Sequence, residues 1–371
     1  MIRPLLWLAA AVLACGQAAN AQSPAAAPVV AKPAAPTAWP TKPGDFDIAD
    51  FKFRSGESLP SLHLHYTTLG EPTKDAKGRV TNAVLILHGT GGTGGQFLSP
   101  QFADELYGPG QPLDIRKFYI ILPDEIGHGK SSKPSDGLHA RFPHYDYDDM
   151  VEADYRLVTQ RLGVDHLRLV MGTSMGCMHA FVIGEAHPGF MDALMPLACL
   201  PVPIAGRNRA WRQMTIDAVK ADPDWKGGDY AAEPQAAVRT ISDLLLIAGS
   251  APIQLQKAYP TRELADAYEE KAVARSMAST DANDFMYQAD SSRTYDPSAG
   301  LGKLLCPVMW VNSGDDFINP PELGIAEQKV KEIRRGTFVL IPASDRTHGH
   351  GTHTWAAVWK PQLQQLLAES Q

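Results

Sequence analysis

Three residue types, far apart in the sequence, could together perform nucleophilic chemistry on a carbonyl. Gly172-Thr173-Ser174-Met175-Gly176 matches G-x-S-x-G, the pattern of a serine on a sharp strand-to-helix turn. The glycines have a steric reason. The turn crowds the backbone, and neighbours without side chains let the serine sit strained and exposed at a helix N-terminus. A serine hydroxyl is a weak nucleophile at neutral pH, so it needs a base to take its proton and a carboxylate to orient that base. With this motif the chain order is serine, acid, histidine.

The acid is sought in Asn312-Ser313-Gly314-Asp315-Asp316-Phe317-Ile318-Asn319-Pro320, a loop that follows an apolar run. Asp316 is preferred to Asp315, although either could instead cap a helix starting near Pro320. The base is sought in Thr347-His348-Gly349-His350-Gly351-Thr352-His353. His350 is preferred, because its two flanking glycines let the loop carry an imidazole up to the serine. His353 lies nearer the following helix, and His348 is read as a supporting residue.

Charge that develops on the carbonyl oxygen needs fixed donors, usually two backbone N–H groups. One is expected from Met175, directly after the nucleophile. The other is expected from Thr90 in His88-Gly89-Thr90-Gly91-Gly92-Thr93-Gly94, which follows an early apolar run. The same loop spells G-x-G-x-x-G through Gly89, Gly91 and Gly94. A dinucleotide site would place an acid about 20 residues further on, and Asp124 is too distant. The histidine cluster near the C-terminus lacks carboxylate ligands at suitable spacing, and it lies where a base is already required. The reading is therefore of an enzyme with no cofactor and no metal.

These residues must be positioned by a scaffold, and the apolar pattern supplies one. Ala83–Leu87, Phe118–Leu122, Leu169–Met171, Val308–Val311 and Phe338–Ile341 read as strands buried on both faces. Between the second and third, Val151, Tyr155, Val158 and Leu162 recur at helical spacing before Gly163. Strand, helix, strand implies a parallel sheet. The expected class is α/β: an α/β-hydrolase fold with a mostly parallel central sheet flanked by helices. Helical patterns around Trp211–Ala221, Ala236–Ile247 and Thr261–Met277, with no convincing strand, mark 203–299 as an inserted helical cap. Residues 46–202 and 300–371 are assigned to the core.

The N-terminus reads differently. Met1–Ala21 has Arg3, the apolar stretch Leu5–Leu13 and Ala19-Asn20-Ala21, the layout of a cleaved signal peptide. The apolar run falls short of the roughly 20 residues that span a bilayer. Val12-Leu13-Ala14-Cys15 also resembles a lipoprotein box, so a lipid anchor at Cys15 is a minor alternative. Residues 22–45, rich in Ala and Pro, are expected to be a flexible tether. The chain is thus read as exported, periplasmic or secreted.

Once Cys15 is removed, Cys177, Cys199 and Cys306 remain. The odd number and the absence of C-x-x-C spacing favour buried packing thiols over a disulfide framework. A net charge of −7 with no Lys/Arg cluster argues against a nucleic-acid partner. A small-molecule acyl substrate fits better.

Further stretches carry a resemblance. They are Ser55–Pro60, Phe142-Pro143 before Asp149, Leu162-Gly163-Val164, Ser174–Met178 and, most specific, Ala221-Asp222-Pro223-Asp224-Trp225-Lys226-Gly227-Gly228-Asp229-Tyr230. With them the chain resembles the homoserine O-acetyltransferase family of α/β-hydrolase-fold enzymes over most of its length. The resemblance implies a serine that takes an acyl group as an ester, an acid in an S-D-x-x-x-P-P-like loop and a histidine in a Gly-His turn. Those features match Ser174, Asp316 with Pro320-Pro321, and Gly349-His350. It also implies a possible homodimer through the cap. The loop Asp124–Ser132 departs from the family's N-x-x-G-S form.

Acetyl-CoA is a cytoplasmic donor, so export makes water the first expected acceptor. The main reading is a serine ester hydrolase. The alternative is an O-acyltransferase of the homoserine O-acetyltransferase type, and the remote one a non-catalytic binding protein.

Overall fold

The computed structural model describes residues 38–370. The signal-peptide and Cys15 readings, and tether residues 22–37, lie outside them. The chain enters the sheet through a long antiparallel hairpin, β1 (Thr41–Lys52) and β2 (Ser58–Leu69), with Thr41 opposite Leu69. The boundary placed at residue 46 therefore moves to Thr41. In β1 only Ile48 and Phe51 are buried, so backbone pairing rather than an apolar run holds the strand.

The chain then alternates: β3 (Ala83–Leu87), α1 (Pro100–Leu106), β4 (Tyr119–Pro123), α2 (Tyr147–Arg156), β5 (Leu169–Thr173), α3 (Met175–Ala186) and β6 (Leu194–Leu197). Five helices follow before the sheet resumes: α4 (Gly206–Ala221), α5 (Gln235–Gly249), α6 (Pro252–Ala258), α7 (Arg262–Met277) and α8 (Ala282–Asp290). The last elements are β7 (Val308–Ser313), α9 (Ile325–Lys329), β8 (Gly336–Ile341) and α10 (Ala356–Glu369).

The eight strands lie in the order β1-β2-β4-β3-β5-β6-β7-β8. The pairings β1–β2 and β2–β4 are antiparallel, and every other pairing is parallel. All five expected strands are present, although β8, at the edge of the sheet, is half-buried rather than buried on both faces. Strands β3 to β7 are buried along their whole length, which explains their unbroken apolar runs. Their side chains alternate between two cores. Leu85, Ile121 and Val170 face the side of α2 and α3, while Val84, Ile120 and Met171 face α1 and α10. Among the described residues no single helix is long and apolar enough to cross a bilayer.

One cysteine reading is corrected. Cys177 on α3 and Cys199 just after β6 form a disulfide across a separation of 22 residues. The β5–α3–β6 crossover lays the start of α3 beside the end of β6, a proximity that cysteine spacing does not reveal. Cys306 keeps a free, buried thiol, and burial pushes its pKa up to about 11.

Candidate active site

Ser174 sits between β5 and α3 at φ 55° and ψ −110°, a left-handed backbone that a non-glycine residue rarely adopts. Its N–H donates to Leu197 O at 2.9 Å, which anchors the turn to β6. Neither glycine of the motif could carry a side chain. A Cβ on Gly172 would lie 2.0 Å from Gly176 O, and one on Gly176 2.1 Å from Leu87 O.

His350 Nε2 lies 2.8 Å from Ser174 Oγ, and His350 Nδ1 lies 2.9 and 3.0 Å from the two oxygens of Asp316. The structure thus brings the three predicted residues into one hydrogen-bonded chain, although they lie on loops from three different strands. Asp316 is 2% exposed and also accepts from the N–H groups of Ile318 and Asn319 and from Asn319 Nδ2. Burial works to raise its pKa, but the pull of His350 and the Asn319 donors outweighs it and holds the carboxyl below its usual value. Asn319 Nδ2 donates in addition to Ala198 O at 2.9 Å, tying the acid loop to the end of β6.

The neighbouring candidates have other work. Asp315 accepts from Ser313 Oγ, from Thr347 Oγ1 at 2.8 Å and from Gly349 N–H at 3.0 Å. His348 stacks on Trp355 with ring centroids 3.8 Å apart. His353 packs edge-on against His350, and burial followed by repulsion from His350 pushes its pKa down to about 3. It is therefore a neutral packing ring at physiological pH.

The glycine-rich loop after β3 runs past the serine: a Cβ on Gly89 would lie 3.2 Å from Ser174 Cβ. Thr90 follows directly. Met175 opens α3, so its N–H has no acceptor inside the helix. The next N–H, of Gly176, is already committed to His88 O at 2.8 Å. Met175 and Thr90 thus both lie next to residues that touch or carry Ser174.

Sequence reading missed Arg212 on α4. It is 2% exposed, stacks on Trp211, and bonds Asn208 Oδ1 at 3.1 Å and Ser292 Oγ at 3.3 Å. Among the described residues no carboxylate pairs with it. Burial raises the pKa of Tyr147 on α2, and the nearby Arg212, Ser292 and Thr90 offset part of that rise. An arginine inside an amphipathic helix gives no sequence signal of such burial. A cavity of about 840 Å³ lies between the inserted helices and the Asp316 loop, lined by Met178, Leu200, Ile204, Asn208, Phe317 and Ile318 among others. Ser174 and His350 are not among its lining residues. Arg207 seals part of its rim by stacking on Phe317 at 3.7 Å.

A family model described as "alpha/beta hydrolase fold" matches residues 82–346. A homoserine O-acetyltransferase from Moorella thermoacetica is 28% identical over 84% of this chain and 93% of its own length. Two solved structures share the fold at a TM-score of 0.76. One is an acetylester hydrolase from Corynebacterium glutamicum, 22% identical, covering 88% of this chain and 96% of that one. The other is a homoserine O-acetyltransferase from Bacillus anthracis, 19% identical, covering 88% and 97%. The family match, the sheet order and the strained serine between β5 and α3 agree: the chain belongs to the α/β-hydrolase fold family, as an enzyme of esterase or acyltransferase type.

Proposed function

We propose that the chain is a serine O-acyltransferase. Ser174 Oγ attacks the carbonyl carbon of an acyl donor while His350 Nε2 takes its proton. Asp316 holds the imidazole and stabilises its charged form. The amides of Met175 and Thr90 receive the negative oxygen. When the tetrahedral adduct collapses, the leaving group departs with the proton from His350 and the acyl group stays as an ester on Ser174. An acceptor hydroxyl then gives its proton to His350, attacks the ester and restores Ser174.

The observation that carries this reading is the unbroken Ser174–His350–Asp316 chain at 2.8 and 2.9 Å. Acceptor choice is supported by Arg212, a buried guanidinium with no acid of its own among the described residues, suited to an acceptor that bears a carboxylate. The relative from Moorella thermoacetica, named a homoserine O-acetyltransferase, points the same way.

Water as acceptor, making the enzyme an ester hydrolase, is the second reading. The Cys177–Cys199 disulfide favours it. Disulfides persist in oxidising compartments, as the signal-peptide reading of Met1–Ala21 also requires, and acetyl-CoA is not made there. The purified chain is offered p-nitrophenyl acetate with rising concentrations of homoserine. O-acetylhomoserine formed at the expense of acetate supports transfer, and acetate alone at every concentration leaves hydrolysis.

A further inference from the structure

Behind the nucleophile turn, three ionisable side chains meet in a space closed to solvent. Glu125, two residues beyond β4, Asp154 on α2 and His179 on α3 are each 1% exposed or less. One potential ligand atom from each lies within 4.8 Å of the other two. His179 Nδ1 approaches Glu125 Oε1 at 3.3 Å. Nevertheless Glu125 Oε2, Asp154 Oδ2 and His179 Nε2 have no hydrogen-bond partner. Among the described residues no lysine or arginine pairs with either carboxylate.

A buried polar atom left unpaired forfeits its hydration with nothing in return, and here three share one place. Two adjacent carboxylates add mutual repulsion. Among the described residues, nothing beside them supplies positive charge. A divalent cation would balance two carboxylates and leave the imidazole neutral, as a metal ligand must be.

We propose that Glu125, Asp154 and His179 form a buried binding site for a divalent transition-metal ion of the zinc class. One imidazole with two carboxylates suits such ions, whereas magnesium and calcium prefer oxygen ligands and retained water. Zinc bonds of about 2.0–2.2 Å place tetrahedral ligand atoms roughly 3.5 Å apart. The three groups need only small side-chain movements to reach that spacing. Binding releases the protons that the two carboxyl groups hold, at most one each, so affinity rises with pH. The ion clamps the loop after β4 and helix α2 onto α3, the helix that follows Ser174. It takes no part in the Ser174–His350–Asp316 chain, so the site is structural. Because the cluster is sealed, the ion enters during folding.

The test is to produce the full chain in minimal medium with added zinc, added cobalt or neither, and to purify it over a chelating resin that strips surface metal. Metal content and Tm are then measured. We expect about one zinc per chain, a higher Tm than for the metal-free protein, and visible absorption from the cobalt form. Asp154→Asn and His179→Gln, both close in shape to the native side chains, are expected to lose the bound zinc. A His63→Ala/His65→Ala variant, which removes the two imidazoles beside Asp45 and Asp47, is expected to keep it. Wild type without zinc or cobalt and with an unchanged Tm would overturn the proposal and leave the three groups sharing protons. So would zinc that survives Asp154→Asn and His179→Gln but is lost with His63 and His65. Should either buried variant fail to fold, the wild-type metal content and cobalt spectrum decide alone.

Discussion

Asp315 and Asp316 are adjacent in the chain and hold one histidine loop at two points. Asp316 receives His350 Nδ1 at 2.9 Å, and Asp315 receives Gly349 N–H at 3.0 Å. One carboxylate aligns the ring, and the other fixes the turn that carries it.

This division separates two variants. Asp316→Asn removes the charge that favours a protonated His350 and is expected to lower kcat by roughly 10³–10⁴-fold. Asp315→Asn keeps one acceptor oxygen for the turn and is expected to cost about tenfold or less. Steady-state p-nitrophenyl acetate kinetics would compare them. Equal losses would mean that Asp315 shares the orienting role.

Gly349 has φ +59°, and a Cβ there would lie 2.6 Å from Ser250 O. Gly349→Ala should therefore displace the loop of His350, with a backbone cost of about 1–2 kcal/mol. We expect kcat to fall more than tenfold while the far-ultraviolet circular dichroism stays native. An unchanged kcat would show that the loop tolerates the shift.

The Cys177–Cys199 bridge closes a loop with a sequence separation of 22. Chain-entropy reasoning gives it about 3 kcal/mol of stability. Urea unfolding with and without a reductant, and with Cys177→Ser/Cys199→Ser, should show a lower midpoint when the bridge is absent. The same midpoint in all cases would mean that the bond does not form in solution. Cys199 O also accepts from Trp310 Nε1 and Asn312 Nδ2, so reduction should loosen the end of β6.

Stability should depend on pH with opposite signs at two places. The Asp316 carboxyl lies below its ordinary value in the folded state, so its contribution is complete above the unfolded pKa and is lost as pH falls through the folded one. Glu125 lies at about 8 when folded, so in metal-free protein the unfolded state ionises first and stability declines from about pH 4.5 to pH 8. Urea midpoints at pH 5 and pH 8 should show that decline, and Glu125→Gln should lessen it, the remainder coming from Asp154, Glu185 and Glu233, whose carboxyls burial also raises. A wild-type midpoint that rises over this interval would contradict the sign.

Arg212 offers a test of acceptor recognition. Arg212→Lys keeps a positive charge but loses the planar fork, and it should raise KM for a carboxylate-bearing acceptor about tenfold or more. Turnover of p-nitrophenyl acetate, which has no carboxylate, should change little. Equal effects on both substrates would make Arg212 a packing residue.

What the sequence made legible follows its apolar and glycine patterns. Strands buried on both faces show as unbroken runs, and the steric demand of the serine turn shows in Gly172 and Gly176. β6 escaped because Leu194-Met195-Pro196-Leu197 is short and contains a proline. α6 and α8 escaped too: α6 has only seven residues, and α8 buries polar Asn283 and Gln288 beside its apolar ones. Asp316 and His350 could be ranked by neighbours, but the work of Asp315 could not, because two adjacent acids differ only in where the loop points them. Glu125, Asp154 and His179 lie on three elements and meet only through packing of α2 against α3, so no local spacing announces them.

The polar alternation that hid β1 has an outcome of its own. This strand is one rim of an open sheet, and a rim with free backbone groups invites another chain to add to it. Lys42, Pro43, Asp45, Asp47, Asp50 and Lys52 line it, all exposed. Charges and a proline there penalise strand addition, so the hairpin guards the molecule against polymerising through its own edge.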